Sequence, residues 1–187
     1  QDGLEVGSFN HESFDGTNSI GAYLYVDAIP FIDIDLELNA KFSPYKYNFI
    51  QDHTGETYSG DFGWISTSFY LTAQRSIFKF SVPFLAKVKL SAGAGINNHN
   101  STPMINQQML HSILEGDLKN GEFNEDSALE YLKDNRVKTD GFHIQMITQF
   151  KLLVFDSMLV YRYVFSDGIT PETEGFGDLN LRIGYGL

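Results

Sequence analysis

Residues 32–42 constrain the fold of this chain more than any other segment, because apolar and polar side chains alternate there without interruption. A period of two residues is that of a β-strand with one apolar face, and it excludes an amphipathic helix. At about 3.3 Å per residue and a tilt of about 40°, the strand rises roughly 25–28 Å, close to the height of the apolar band on a transmembrane barrel. The apolar face carries Ile32, Ile34, Leu36, Leu38, Ala40 and Phe42. The polar face carries Asp33, Asp35, Glu37, Asn39 and Lys41.

Similar alternation recurs along the rest of the chain. One such strand is equally typical of a soluble sandwich, whose apolar face points inward. Recurrence at similar length favours a membrane barrel. Residues 3–9 supply a weaker, eighth strand, which lets the chain begin on the side where it ends. The other alternating segments are residues 20–28, 64–74, 84–96, 142–154, 158–165 and 178–187.

The predicted connections between these strands alternate in length. Short turns on one rim and long loops on the other are typical of outer-membrane barrels, whose short turns face the periplasm. We therefore predict an all-β fold, an eight-stranded antiparallel up-and-down transmembrane β-barrel, as a single domain over residues 1–187. A long helical loop, residues 97–141, is inserted between its strands. The short connections are residues 29–30, 75–80 and 155–157, and the other long ones are residues 44–62 and 167–176.

Composition narrows the classes of protein that remain. The mean hydropathy is −0.19, and no apolar run approaches the roughly 18 residues of a membrane-spanning helix. Strands that are apolar on one face only are compatible with both facts. The net charge of −11 argues against a nucleic-acid partner, which requires a basic surface. The chain contains no cysteine, so we expect neither disulfides nor a thiolate metal site.

The pattern resembles the small eight-stranded outer-membrane barrels of the OmpA, OmpX and OmpW class. Those proteins commonly end on a strand with apolar residues at every second position counted back from the last residue, which is usually aromatic. This chain follows that spacing but ends on leucine. The resemblance implies a bacterial, Gram-negative outer membrane as the location, contact with outer-membrane lipid, and a mature chain after signal-peptide removal. The matching positions are Leu179, Leu181, Ile183, Tyr185 and Leu187.

The charged residues decide which face of the strands meets lipid. A basic side chain at mid-depth in hydrocarbon costs about 2–4 kcal/mol, and an acidic one somewhat less, so the charged faces must point inward. An eight-stranded barrel is just wide enough to be filled by side chains. We therefore predict acidic–basic pairing across the lumen, either as neutral filling or as a narrow ion path. The predicted network comprises Asp27, Asp33, Asp35, Glu37, Lys87, Lys89, Lys151, Arg162 and Arg182.

The long loop 97–141 contains two predicted short helices. The segment 101–103 (Ser-Thr-Pro) supplies an N-cap and a first-turn proline for the first helix. The second helix follows Asn124 and ends near Asn135. The apolar residues of both helices are expected to pack on each other, to cover the barrel mouth, or to bind a protein partner. They are Met109, Leu110, Ile113, Leu114, Leu129, Tyr131 and Leu132.

Little in the sequence favours catalysis or a cofactor, so we predict a protein that is not an enzyme. Residues 11–13 (His-Glu-Ser) have the spacing of the His-x-Ser pair of outer-membrane lipid A deacylases, but they fall in a predicted loop. Residues 52–53 (Asp-His) resemble half of an outer-membrane protease site. A glycine-containing segment near residue 121 lacks the ligands of a calcium loop. The scattered His99, His111 and His143 do not indicate a zinc site.

Together these patterns predict a non-enzymatic outer-membrane barrel with a polar lumen filled by side chains. It would serve as an envelope scaffold or bind a surface partner through its long loops. The alternative is a narrow pore, or a channel for small apolar solutes as in the OmpW-like branch. A third class, a soluble calycin-type binder with an apolar cavity, would place Ile34, Leu36 and Leu38 inside.

Overall fold

A computed structural model describes the chain except residues 1–6, 13–16, 27–30, 52–54, 56, 116–121, 124, 170–173 and 186–187. Its strands are β1 (Gly7–His11), β2 (Asn18–Val26), β3 (Asp33–Gln51), β4 (Thr57–Val82), β5 (Ala86–Ser101), β6 (Leu114–Glu115), β7 (Glu122–Phe123), β8 (Val137–Leu152), β9 (Phe155–Phe165) and β10 (Gly175–Tyr185). Its helices are α1 (Gln107–Ile113) and α2 (Glu125–Asp134).

Eight of these strands form one antiparallel sheet in up-and-down order, which confirms the predicted strand number and all-β class. The order across the sheet is β1, β3, β4, β5, β8, β9 and β10, and β2 also pairs with β3. Because the other edge of β3 is occupied by β4, strands β1 and β2 share one edge of β3. The short strands β6 and β7 pair with each other in a separate sheet.

Several predicted connections are wrong because the strands extend beyond the segments in which apolar and polar residues alternate. Residues 44–62 are mostly strand: β3 continues to Gln51, where its last residues pair with β1, and β4 begins at Thr57. The predicted link 75–80 lies inside β4, and the turn follows at residues 83–85. Polar composition alone does not end a strand while a neighbouring strand still offers backbone partners. Likewise, the turn predicted at residues 155–157 lies at 153–154. The long connection predicted at residues 97–141 comprises residues 102–136.

Burial divides the main sheet into a polar buried face and an apolar exposed face. In β3 the carboxylate residue Asp35 is 1 % exposed, whereas Leu38 is 60 % exposed. On β9 the same division buries Arg162 and exposes Leu159. The orientation is opposite to that of a soluble sheet, whose apolar face is the covered one. Other exposed apolar residues on the sheet are Ile20, Leu24, Ile65, Ile144, Phe150, Leu179, Leu181 and Ile183.

The two edges of the sheet approach each other, but no backbone ladder joins them within the described residues. The Arg182 guanidinium carbon on β10 lies 5.2 Å from the centre of the Tyr23 ring on β2. A side chain placed at Gly184 would collide with the Tyr23 hydroxyl group. The closed ring that we predicted is therefore not present in this part of the chain. Six reversals of direction separate β2 from β10, so these edges run parallel and cannot continue an antiparallel ladder.

Contacts group the chain into two compact units, and the first has an aromatic core. In this unit the ring centres of Phe9 and Phe49 lie 4.9 Å apart. The segment before α1 is attached to the core, because the Ile105 backbone N–H donates a 2.9 Å hydrogen bond to the Tyr45 hydroxyl. The Ile105 carbonyl oxygen lies 2.6 Å from Nε2 of His11. The first unit draws its described residues from 1–20, 40–67 and 100–137.

The second unit holds most of the charged buried side chains and requires close backbone approach between its strands. It draws its described residues from 21–39, 68–99 and 138–187. Gly95 on β5 lies against the Leu71 carbonyl oxygen, and a Cβ atom there would be 2.8 Å from both Thr72 Cα and His143 Cε1. A side chain at position 95 would displace the backbone of β4, so only glycine fits there.

We predict that Gly95→Ala lowers the free energy of unfolding by about 1–3 kcal/mol, because the added methyl group overpacks two neighbouring strands. Urea unfolding in detergent micelles measures the change. The control is Gly177→Ala on β10, where the nearest atom to an added Cβ would be the Tyr161 hydroxyl oxygen at 3.6 Å. Equal stability of the two variants would contradict the close approach of β4 and β5.

Candidate functional site

Four ionised side chains meet on the buried face of the second unit. Arg182 donates from Nη1 to both carboxylate oxygens of Asp35, at 3.0 and 2.9 Å. The Nη2 atoms of Arg182 and Arg162 both bind the same oxygen of Glu37. All four residues are at most 6 % exposed. The two arginines come from β10 and β9 and the two carboxylates from β3, so the cluster joins strands from both halves of the sheet.

Neutral side chains add further hydrogen bonds to this cluster. Gln145 accepts bonds of 3.0 and 2.8 Å from Arg162 at its Oε1 atom. Its Nε2 atom donates to Asp35 at 3.1 Å and to Gln74 at 3.2 Å. Asn39 donates a 2.7 Å bond to the second oxygen of Glu37. Such bonds matter because a buried charge that lacks them loses its hydration without replacement.

An aromatic layer lies against the guanidinium group of Arg162. The carbon atom of that group is 3.8 Å from the centre of the Tyr70 ring, within cation–π distance. The His99 and His143 rings stand perpendicular to the Tyr70 ring, at 5.4 and 5.3 Å between centres. Both histidines are almost completely buried. Their hydroxyl partners are Ser68 Oγ, 2.8 Å from His99 Nδ1, and Thr72 Oγ1, 2.8 Å from His143 Nε2.

A second ion pair and a small apolar cluster also lie in this unit. Lys89 forms a 2.5 Å salt bridge with Asp33 and donates a 2.8 Å hydrogen bond to the Tyr25 hydroxyl. The apolar cluster consists of buried Ile147, Met158 and Val160, with Tyr23 and Tyr25 packed against it. Gln149 donates to Asp156 at 2.6 Å. Charged, aromatic and apolar groups thus share the buried face.

The structure brings together six of the nine residues predicted for the ionic network. Asp33, Asp35, Glu37, Lys89, Arg162 and Arg182 form the salt bridges described above. Lys87 and Lys151 are partly exposed near the turns 83–85 and 153–154, and Asp27 lies outside the described residues.

The sequence interpretation missed Gln145, Tyr70 and the two histidines as members of the same buried assembly. Gln145, Tyr70 and His143 occupy inward positions of predicted alternating strands, so the parity of the sequence indicates their face, whereas His99 falls in the predicted loop 97–141. Their mutual contacts depend on the register between strands, which one sequence does not reveal.

The helical residues predicted for partner binding divide between buried and exposed positions. Met109 is fully buried and Leu110 is partly buried, whereas Leu129 on α2 is 66 % exposed. Tyr131 and Leu132 are partly buried. The side chains of Ile113 and Leu114 lie outside the described residues, although the backbone places Ile113 at the end of α1 and Leu114 in β6.

The predicted start of the first helix is wrong, and the second helix is confirmed. Asn106 caps α1, because its Oδ1 atom accepts a 2.8 Å hydrogen bond from the Met109 backbone N–H. Ser101 instead ends β5, and the Thr102 hydroxyl oxygen accepts a 3.1 Å bond from the Ile65 N–H. The predicted helix after Asn124 is α2, residues 125–134.

The residues weighed for catalysis are not assembled into a site in the described part of the chain. His11 contacts a backbone carbonyl oxygen, and Ser13, Asp52 and His53 lie outside the described residues. No group of three or more His, Asp or Glu side chains suited to a metal ion occurs among the residues described.

Neither described helix has the length and apolar character needed to cross a membrane.

Comparison with protein-family models, with curated proteins and with solved structures yields no match for this chain. Its function is therefore inferred from the chemistry of its two sheet faces.

Removing one acid from the central cluster tests how far the sheet depends on it. We expect Asp35→Ala to lower the free energy of unfolding by about 3–5 kcal/mol, because Arg182 stays buried with half of its ionic partners gone. Urea unfolding in detergent micelles measures this loss. The control, Asp140→Ala, removes an exposed acid that accepts one bond from Asn98 and should change stability by less than about 0.5 kcal/mol.

A double variant separates pairing from packing. Asp35→Leu combined with Arg182→Met removes both charges while keeping apolar volume, and should cost less than the sum of the two single substitutions. Additive losses would show that the two side chains do not interact as a pair.

Proposed function

We propose that this chain is a transmembrane β-barrel of the bacterial outer membrane that closes around an ionic interior. One observation carries the proposal: the sheet buries its charged face and exposes its apolar face. Water cannot favour that arrangement, since it would hydrate apolar side chains and desolvate charged ones. A bilayer favours it, because acyl chains cover the apolar face while the interior pairs the charges.

The size of the exposed apolar surface supports a membrane as its cover. Single exposed apolar residues are ordinary in soluble proteins, whereas contiguous apolar patches beyond several hundred Å² indicate a covered surface. On β10 three successive outward positions are apolar and between 66 and 74 % exposed, namely Leu179, Leu181 and Ile183. On β8 the outward residues Phe142, Ile144 and Met146 are 49–57 % exposed.

Closure of the sheet is the part of this proposal that requires the bilayer. Unpaired backbone groups on a sheet edge cost several kcal/mol each in hydrocarbon, which forces the edges to pair. The contact of Arg182 with the Tyr23 ring already brings β10 next to β2. Pairing there would be parallel, in a sheet that is otherwise antiparallel.

The paired charges of the interior support a role as a scaffold. The central cluster of Asp35, Glu37, Arg162 and Arg182 extends between strands of both halves of the sheet. The apolar side chains of Ile147, Met158 and Val160 fill a further part of the buried face. We infer that the barrel stabilises the envelope or binds an external partner through the connection 102–136, where Leu129 is exposed.

Placing a charge on the exposed face tests membrane insertion directly. Leu38→Arg should lower the free energy of unfolding from lipid vesicles by about 2–4 kcal/mol, which is the cost of a basic side chain near mid-depth. The control is Leu129→Arg on α2, whose native leucine is 66 % exposed compared with 60 % for Leu38. Denaturant titration in vesicles measures both variants. Changes below about 0.5 kcal/mol in both would mean that water, and not lipid, faces β3.

A narrow pore is the second candidate, and unpaired buried polar atoms favour it. Gln74 Nε2, Arg162 Nη1 and Arg182 Nε have no protein hydrogen-bond partner within the described residues. Buried polar groups of this kind are normally satisfied by ordered water. A chain of such waters would connect the interior to solvent.

Conductance in planar bilayers separates the scaffold from the pore. A barrel filled by paired side chains should show no stable ion steps above the background of the bilayer. Reproducible steps that change in size in an Arg162→Ala variant would support the pore and overturn the closed scaffold. Leu129→Arg, outside the sheet, serves as the control for reconstitution.

A further inference from the structure

Strand β4 extends beyond its neighbour β3 at the β4–β5 hairpin. The two strands are consecutive and pair with each other, but β4 has 26 residues and β3 has 19. They are aligned near the connection between them, where a side chain at Gly60 would meet the Tyr47 ring. The surplus of β4 is therefore its last part, residues 76–82, which extends beyond Asp33 at the start of β3. One edge of this segment pairs with β5, and the opposite edge has no strand partner in the described part of the chain.

The side chains of this segment are exposed on both faces of the strand. Ile77, Phe78 and Phe80 are between 57 and 64 % exposed. Gln74, which has the same parity as Phe78, is only 3 % exposed. Such an uncovered strand presents a row of backbone N–H and C=O groups along its edge, to which a further strand can pair. Residues 76–82 are therefore accessible from both faces and from one edge.

The distribution of charge along β4 reverses where the strand passes the end of β3. As far as Gln74, the inward positions of β4 are mostly polar and the outward positions mostly apolar. Beyond Gln74, the outward positions include Arg75 and Lys79, and the inward positions include Phe78 and Phe80. The face that is apolar along the rest of β4 is thus basic here. Basic side chains are costly in hydrocarbon, so the reversal is typical of a segment that lies outside it.

The charge of this hairpin is exclusively positive. No acidic residue occurs between Asp61 and Glu115, although the chain contains 24 acidic and 13 basic residues. Arg75 and Lys79 are exposed, and neither forms an ion pair or hydrogen bond with another described residue. A partner that lies beside both of them is therefore expected to carry negative charge.

We propose that residues 76–82 bind an extended segment of a partner protein as an additional β-strand, and that apolar and acidic residues alternate in this segment. Its backbone pairs with the free edge of β4. Its acidic side chains lie beside Arg75 and Lys79, and its apolar side chains lie beside Phe78 and Phe80, because paired strands share their two faces. The proposal rests on the proposed function in one respect, since the bilayer covers the rest of the apolar face of β4.

Other occupants fit this edge less well. Pairing with a second copy of the same segment would bring Arg75 and Lys79 close to their own counterparts, and like charges destabilise a strand pair. Lysine in an edge strand opposes such self-pairing in natural sheets. A free anion would leave Phe78 and Phe80 uncovered, and acyl chains would leave the backbone edge without hydrogen-bond partners.

The test uses labelled synthetic peptides as long as residues 76–82 and the full chain in a nonionic detergent. A peptide in which valine and glutamate alternate should bind at least about tenfold more tightly than one in which valine and lysine alternate. Fluorescence anisotropy measures the affinities. Binding of the acidic peptide should also slow hydrogen exchange at the backbone amides of residues 76–82. Equal affinity for the two peptides, or unchanged exchange in this segment, would overturn the proposal.

Backbone methylation distinguishes strand addition from attraction between charges alone. In a strand, alternate N–H groups point to the same neighbour. The acidic peptide is therefore prepared in two forms, with N-methyl groups at its odd or at its even positions. One form should lose binding at least about tenfold and the other should keep it. Equal binding of both forms would exclude an added strand.

Reversal of two exposed charges tests the assigned residues in protein that still folds. The double variant Arg75→Glu and Lys79→Glu should lose the preference for the acidic peptide and favour the basic one. The control, Lys133→Glu and Lys138→Glu, makes the same change in charge at exposed lysines outside the segment and should keep the original preference. An unchanged preference in the first variant, or equal effects in both, would contradict the assignment.

The other occupants and the proposed function give separate outcomes. Slow exchange at residues 76–82 in phosphatidylglycerol vesicles without peptide would overturn the proposal in favour of lipid, and a dimer that protects the same amides would favour a second copy. A barrel that inserts into vesicles without binding the acidic peptide would leave the proposed function intact and overturn the strand addition. If the protein stays dissolved in buffer instead, the same titration there would support the strand addition after the barrel had failed.

Discussion

Buried charge is the constraint on which the rest of this structure depends. Asp35 and Glu37 lie two residues apart on β3, and strand geometry therefore sends both to the same face. The two arginines that neutralise them, Arg162 and Arg182, come from strands far along the chain. Bringing these four groups together requires the sheet to curl until β10 approaches β2. The residues that alternate with these charged groups along each strand lie on the opposite, outer face of the sheet, and they are apolar.

The central cluster also explains why neutral polar residues accompany it. Each carboxylate oxygen or guanidinium nitrogen that leaves water must find a replacement partner. Gln145 provides such a partner to a cation and to an anion, since it accepts a hydrogen bond from Arg162 and donates one to Asp35. The Tyr70 ring covers one face of the Arg162 guanidinium group. Each of the four charged residues contacts at least two partners in this network, and such shared contacts oppose rearrangement, which is the property expected of a scaffold.

The separation of polar and apolar residues that characterises the sheet does not extend into the β4–β5 and β8–β9 turns. On the sheet, parity separates polar from apolar residues, whereas around residues 77–85 both faces are exposed and carry phenylalanine next to lysine. Neither burial nor backbone preference accounts for Phe84 at a positive φ, since glycine would adopt that conformation without strain. Packing within the sheet therefore does not explain the residue types at these turns.

Alternation of side chains by itself determined the approximate strand positions, the strand number and the buried face of the residues that form the salt bridges, namely Asp33, Asp35, Glu37, Lys89, Arg162 and Arg182. These properties are local, because the period of two residues is set by the backbone of a single strand. The exact strand ends, the partners of Arg162 and the assembly around Tyr70 were decided only in the tertiary structure. They depend on the register between strands and on contacts between residues more than a hundred positions apart, such as Glu37 and Arg162. Side chains in one strand carry no record of which residue will face them across the sheet.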